Sequence, residues 1–144
     1  MIGTAYLDAS SAMRLLLSGR AGHRTALEVW EEADDLVTAT LTYAEVCAAL
    51  AAARRNRALT QPGLGRALGA LDVLWEQVSP VVVDESLAKT AGALASTHSL
   101  RGADAVHLAA ARATGSDLLL SADRDLCAAA QRCGIAVVEL NDPI

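Results

Sequence analysis

The sequence predicts a three-layer α/β/α domain on a mostly parallel sheet, and three observations carry that expectation. Short apolar runs alternate with longer apolar-periodic segments along the whole chain, the pattern of strand–helix units. The run at 117–120 is apolar and bounded by polar residues, the pattern of a strand covered on both faces. A length of 144 residues fits one domain, 1–144, large enough for a real core.

Residues 4–7 form a first strand, with Asp8 at its end. Ser10 or Ser11 can cap a following helix through about residue 17. Gly19 breaks it, and a second amphipathic helix spans about 24–33. Residues 36–39 make the second strand. Thr42 opens the strongest helix, TYAEVCAALAAARRNR, which ends in a basic turn. After Thr60-Gln61-Pro62 another helix runs over about 64–75. Residues 78–83 form the third strand, and Asp84 caps a helix reaching about 96. Residues 103–114 form a helix with Gly115 as its stop, and residues 117–120 a fourth strand. A last helix spans 124–133, before a final strand at 136–139. No internal repeat, linker or low-complexity tail interrupts the pattern.

Hydrophobic residues make up 53%, mostly Ala, Leu and Val, with no Phe and two Trp. Such a mixture suits closely packed helices and excludes a disordered chain. The start, MIGTAYLDASS, has no basic region followed by an apolar run, so no signal peptide is expected. No apolar stretch nears the roughly 18 residues needed to span a bilayer. Cys47, Cys127 and Cys133 are odd in number and lack a CxxC pair, which predicts reduced, buried small hydrophobes in a cytoplasmic protein. The net charge of −5 would argue against a nucleic-acid partner. Acids gathered at a metal site reverse that inference, because a bound cation changes the local field. The basic residues are eleven arginines and Lys89. Arginine grips phosphate in two-point geometry, but surface salt bridges explain the same bias.

Asp8 follows strand one and Asp123 follows strand four. Glu45 falls in the first turn of the helix after strand two, and Asp104 opens the helix before strand four. In a parallel sheet all four converge on the carboxyl edge, where ligands bind. Oxygen donors gathered there suit Mg²⁺ or Mn²⁺. Each acid also has a purely structural role available: Thr42-x-x-Glu45 fits a capping box, Asp104 and Asp123 favour helix N-termini, and Asp8 can cap the first helix. Taken together they are harder to dismiss. Two like charges about 4 Å apart repel by about 4 kcal/mol at an effective dielectric of about 20. A cation or protons must neutralise such a cluster.

With these residues in place, the chain resembles the PIN-domain ribonucleases, and within them the VapC-type toxins. The resemblance rests on YLDASSAMRLLL, TYAEVCAAL, RGADAVHLAAA and LLLSADRDL in that order, with PVVVDESLAKTAGALA before the third acid. It covers nearly the whole chain, and the ordered set is more specific than any single motif. The family's four acidic positions fall on Asp8, Glu45, Asp104 and Asp123, and the hydroxyl accompanying the fourth falls on Ser121. The resemblance implies a five-stranded parallel sheet in the order 3-2-1-4-5 and Mg²⁺- or Mn²⁺-dependent endonucleolytic cleavage of RNA. It further implies inhibition by a small cognate VapB-like antitoxin, and a homodimer.

No Ser-His-Asp or Cys-His relay is on offer, so the expected nucleophile is water activated by the cation. Asp8, Asp104 and Asp123 would hold the ion, the last directly or through water. Glu45 would complete the negative pocket, bind a second ion, or orient and deprotonate the water. Water attack leaves a 5′-phosphate and a 3′-hydroxyl. A non-catalytic PIN-fold module that grips RNA or protein is the alternative from another class. A DxDxT phosphatase is weaker, since Asp8-Ala9-Ser10 lacks the second Asp. Residues 63–69, GLGRALG, imitate a dinucleotide loop but follow Gln61-Pro62 rather than a strand. His107, one turn after Asp104, could face the metal, but a packed imidazole, or one bonded behind the ligands, is expected, as a hard cation prefers oxygen. Arg54, Arg55, Arg57 and Asp125 read as helix-end charges. Apolar surfaces around 26–30 and 64–75 would receive an antitoxin or a second copy.

Overall fold

The computed structural model describes residues 2–140; the expected domain 1–144 also takes in Met1 and 141–144, which lie outside the described residues. Five strands, β1 (Ile2–Leu7), β2 (Ala33–Ala39), β3 (Ser79–Val81), β4 (Leu118–Ser121) and β5 (Ala136–Glu139), form one sheet in the order β3-β2-β1-β4-β5. Every pairing is parallel. The helices are α1 (Ala9–Leu16), α2 (His23–Glu32), α3 (Leu41–Arg55), α4 (Gln61–Gln77), α5 (Glu85–His98), α6 (Gly102–Ala113) and α7 (Arg124–Arg132).

Side chains alternate across the central strands, as the twofold period of a strand requires. Tyr6 and Leu119 enter a core with α5, α6 and α7. Ala5, Leu7, Leu118 and Leu120 enter the opposite core with α2 and α4. A third cluster joins α1, α3 and α4 around Leu50 and Leu71. Leu119 and Leu120 are fully enclosed. Truncating either to Ala would cost about 2–5 kcal/mol and loosen the strand beside the acids.

Three local expectations need correction. Of the caps offered for α1, Asp8 takes the place and Ser10 and Ser11 do not: its carboxylate accepts the Ser11 backbone N–H. The Thr42–Glu45 capping box does not form. The helix begins one residue earlier, and Thr42 is buried with its hydroxyl accepting a bond from Thr38 at 2.7 Å. Glu45 is consequently the fifth helical residue rather than part of the first turn, and its carboxylate bonds His107 instead of the N-cap. Strand β3 is also shorter than 78–83. Residues 63–69 lie inside α4, where Thr60 caps through the Gly63 N–H and Pro62 sits in the first turn, so they form no phosphate loop.

Candidate active site

Parallel strands all deliver their following residues to the same edge, and that edge gathers the acids. Asp8 emerges directly from β1. Its carboxylate is almost wholly buried, 4% exposed, and heavily bonded. Oδ1 accepts the Ser11 N–H at 2.9 Å and the Ser10 hydroxyl at 2.7 Å, while Oδ2 accepts the Ser121 hydroxyl at 2.5 Å. Ser121 ends β4, so this bond ties the two central strands together at the site. The Ser121 oxygen in turn accepts the Asp123 N–H, and the Ser10 oxygen accepts the Ala122 N–H. Asp123 caps α7, its Oδ1 accepting the Leu126 N–H at 3.0 Å.

Asp104 lies in the first turn of α6, which leads back to the start of β4 and so opens at the carboxyl edge. The guanidinium of Arg101 reaches both Asp104 (3.4 Å) and Asp123 (3.7 Å). Glu45 approaches from α3 and accepts the His107 Nε2–H at 2.6 Å. His107 is 2% exposed, and its Nδ1 meets the Tyr6 hydroxyl at 2.7 Å. The imidazole is packed edge-on against the Tyr6 ring.

The electrostatics register the crowding. The Asp104 carboxyl is raised above its ordinary range, by burial first and by the Asp123 charge second, with Arg101 pulling it back. Burial lowers the His107 imidazole, but the Glu45 hydrogen bond and the charges of Asp8, Glu45 and Asp104 outweigh it and leave the pKa raised. The Tyr6 phenol is held well above its usual value by burial, then by Asp8 and Glu45. All four sequence-selected acids thus act on the same small set of groups.

Among the described residues, no three His, Cys, Asp or Glu side chains stand close enough to hold an ion in their present positions. Arg101, Ser121 and His107 link them instead. The donor set nevertheless fits a hard divalent cation, because it is made only of carboxylate oxygens. A positive group already sits between Asp104 and Asp123.

Sequence reasoning missed Ser10, Tyr6 and Arg101. Ser10 follows Asp8 by two residues just as Asp123 follows Ser121, a symmetry of hydroxyl and acid across two strands that was visible in the sequence. Arg101 stands three residues before Asp104, a helical neighbour. Tyr6 gave no signal, since a strand aromatic reads as core. The cysteines, all free, are only partly as expected: Cys127 is buried, while Cys47 and Cys133 are half-exposed.

Known proteins share this fold. The chain is 41% identical over 134 residues to Ribonuclease VapC45 of Mycobacterium tuberculosis (strain CDC 1551 / Oshkosh), covering 92% of each chain. Its fold matches Mycobacterium tuberculosis VapC20, described as a sarcin-ricin loop cleaving toxin, with a TM-score of 0.69 at 24% identity over 87% of this chain and 94% of that one. It also matches VapBC-5 of Mycobacterium tuberculosis, a member of the VapBC toxin–antitoxin systems, with a TM-score of 0.64 at 17% identity over 94% and 98%. The family model of the PIN domain spans residues 5–132, from the strand before Asp8 to the end of the helix that Asp123 caps. By sequence, fold and strand order, this chain belongs to the PIN-domain family.

Proposed function

We propose that the chain is a divalent-metal-dependent endoribonuclease toxin of the VapC kind, held in check by a small antitoxin. One observation carries the reading: in a chain 41% identical to a VapC ribonuclease, Asp8, Glu45, Asp104 and Asp123 all reach the carboxyl edge of the sheet. Asp8, Asp104 and Asp123 would hold Mg²⁺ or Mn²⁺. When bound, the cation supplies Lewis-acid activation of water and offsets charge gathering on the phosphate.

The chain's own groups do the rest. Ser10, Ser11 and Ser121 fix the Asp8 carboxylate in one orientation. Glu45 orients the attacking water and takes its proton. Arg101, exposed at the rim, offers its guanidinium to the incoming phosphodiester. Water attack leaves a 5′-phosphate and a 3′-hydroxyl.

The antitoxin has a fitting surface. Leu15, Leu16, Leu27, Trp30, Val73 and Leu74 line a groove between α1, α2 and α4, with Leu27 and Val73 exposed. The groove overlaps the apolar surfaces around 26–30 and 64–75 that the sequence offered to an antitoxin or a second copy. The reading extends to a single-domain cytoplasmic homodimer; among the described residues no helix is long and apolar enough to cross a membrane.

The test compares purified parent and Asp104→Asn on RNA, each with Mg²⁺ and with chelator. Parent cleavage that needs the ion and disappears in the variant supports the proposal. Variant cleavage at the parent rate, or 2′,3′-cyclic phosphate ends, would remove it. Stoichiometric RNA binding with no cleavage would put a binding module in its place.

A further inference from the structure

A buried polar chain crosses the core beneath the acids. Tyr6 comes from the central strand β1, His107 from α6 and Glu45 from α3, so three separate elements must pack correctly to form it. Both links are short, 2.7 Å from the Tyr6 oxygen to Nδ1 and 2.6 Å from Nε2 to Glu45 Oε1. Tyr6 is wholly buried and His107 nearly so, whereas the Glu45 side chain is 28% exposed. The chain therefore runs from a dry interior to the wet edge of the site and ends on one carboxylate oxygen.

The order of donors follows from chemistry. Glu45, as a carboxylate, can only accept, so Nε2 must carry the hydrogen. With the neutral ring, Nδ1 must then accept, and Tyr6 is the donor that faces it. If the ring gains a proton, Nδ1 donates to the Tyr6 oxygen and the Nε2–H bond to Glu45 is unchanged. Fixing Oε1 in this way leaves Oε2 as the oxygen that can act on water.

We infer that His107, seated by Tyr6, is a positioning residue: its Nε2–H pins one oxygen of Glu45 and fixes the direction of the other. The inference rests on the proposed ribonuclease reading for its catalytic consequence, but not for its geometry. Groups that orient a site carboxylate typically contribute about 10- to 100-fold in activity or metal affinity.

The experiment has two arms. In cation-free protein labelled with ¹⁵N-histidine, His107 should show a protonated Nε2 with a downfield, slowly exchanging N–H resonance, which moves upfield in Glu45→Gln. This arm needs neither RNA nor a metal. A His107 carrying its proton on Nδ1 alone would overturn the inference. In the kinetic arm, His107→Leu should lower kcat by about 10- to 100-fold with KM for RNA within about twofold. His107→Gln, which keeps an N–H donor of similar reach, should recover most of that loss. Tyr6→Phe, which deletes only the hydroxyl, should give a smaller fall in kcat and covers the case in which His107→Leu fails to fold. An inactive Glu45→Gln beside an unchanged kcat in His107→Leu or Tyr6→Phe would sink the positioning role alone. Full activity in Glu45→Gln would sink both it and the assignment of Glu45.

Discussion

Asp104→Asn should make the cation-free protein more stable while removing its activity. The substitution keeps the shape of the side chain and deletes its charge. Two features set the sign: Asp104 is mostly buried, and its carboxyl is raised by that burial and by Asp123. Because one guanidinium reaches both carboxylates, at 3.4 and 3.7 Å, their oxygens stand at most about 9 Å apart, for which the repulsion is about 2 kcal/mol at an effective dielectric near 20. Screening at the wet edge cuts this by about half. Losing the Arg101 pair offsets little, since Arg101 is 85% exposed and such pairs contribute about 0–1 kcal/mol. The net gain is therefore up to about 1 kcal/mol, or about 3 °C in Tm for a chain of this size. A carboxyl raised in the fold holds its proton more tightly there than in the unfolded chain. Its contribution is fully present below the unfolded pKa and is lost as pH rises through the folded value. The variant's advantage should thus appear as pH rises through that value and vanish in acid. Thermal melts in chelator at pH 7.5 and at pH 3.5 read both limits. Saturating Mg²⁺ should reverse the order, since ligand at 100 times its Kd adds about 2.7 kcal/mol to the parent alone. A variant that melts lower than the parent in chelator at pH 7.5 would refute the reasoning.

Arg101→Ala removes a positive group that competes for Asp104 and Asp123, so it should tighten Mn²⁺ binding by about 2- to 5-fold in calorimetric titration. Unchanged or weaker binding would exclude that competition. Leu27→Glu with Val73→Glu places charge on the exposed apolar groove. It should weaken the co-expressed antitoxin by about 30-fold or more in binding assays, without slowing RNA cleavage by the free toxin. Burial pushes the Cys127 thiol up to about 12, so at pH 8 almost none is thiolate. Mass spectrometry after brief iodoacetamide treatment should find Cys47 and Cys133 alkylated and Cys127 intact; early labelling of Cys127 would contradict its burial.

The strands and helices were legible because each obeys its own period and β4, in the middle of a parallel sheet, is buried on both faces; residues 33–35, which extend β2 toward its exposed start, gave no such signal. Strand order was not in the periodicity; it came with the family resemblance. Asp8, Asp104 and Asp123 could be picked out because chain order puts them after strands or at a helix start, and a parallel sheet sends those places to one edge; Glu45 was chosen as a first-turn residue and stands further along α3. Less legible was how they are held. Ser10 looked like a cap because Ser often is one, yet Asp8 takes the cap and Ser10 bonds Asp8 instead. Thr42 and Glu45 have capping-box spacing, but Thr38, near the end of β2, donates to the Thr42 hydroxyl. His107 and Tyr6 meet across 101 residues, and no local pattern can announce such a pair.

At Asp8 and Asp123 the structural and functional readings, which looked like rivals in the sequence, are divided between the two oxygens of the carboxylate. Asp8 gives Oδ1 to the N-terminus of α1 and Oδ2 to Ser121 at the site. Asp123 gives Oδ1 to the N-terminus of α7 and Oδ2 to Arg101. Glu45 gives Oε1 to His107. Each negative charge is thereby partly answered by a helix end, a hydroxyl or an imidazole N–H, which is how the fold tolerates acids gathered at one edge. The same division explains why amides are the informative replacements here. Asn is as good a cap as Asp, so it keeps the oxygen that serves the fold and neutralises the one that serves the chemistry. Alanine at Asp8 or Asp123 removes both, and a dead alanine variant cannot separate a broken site from a frayed helix.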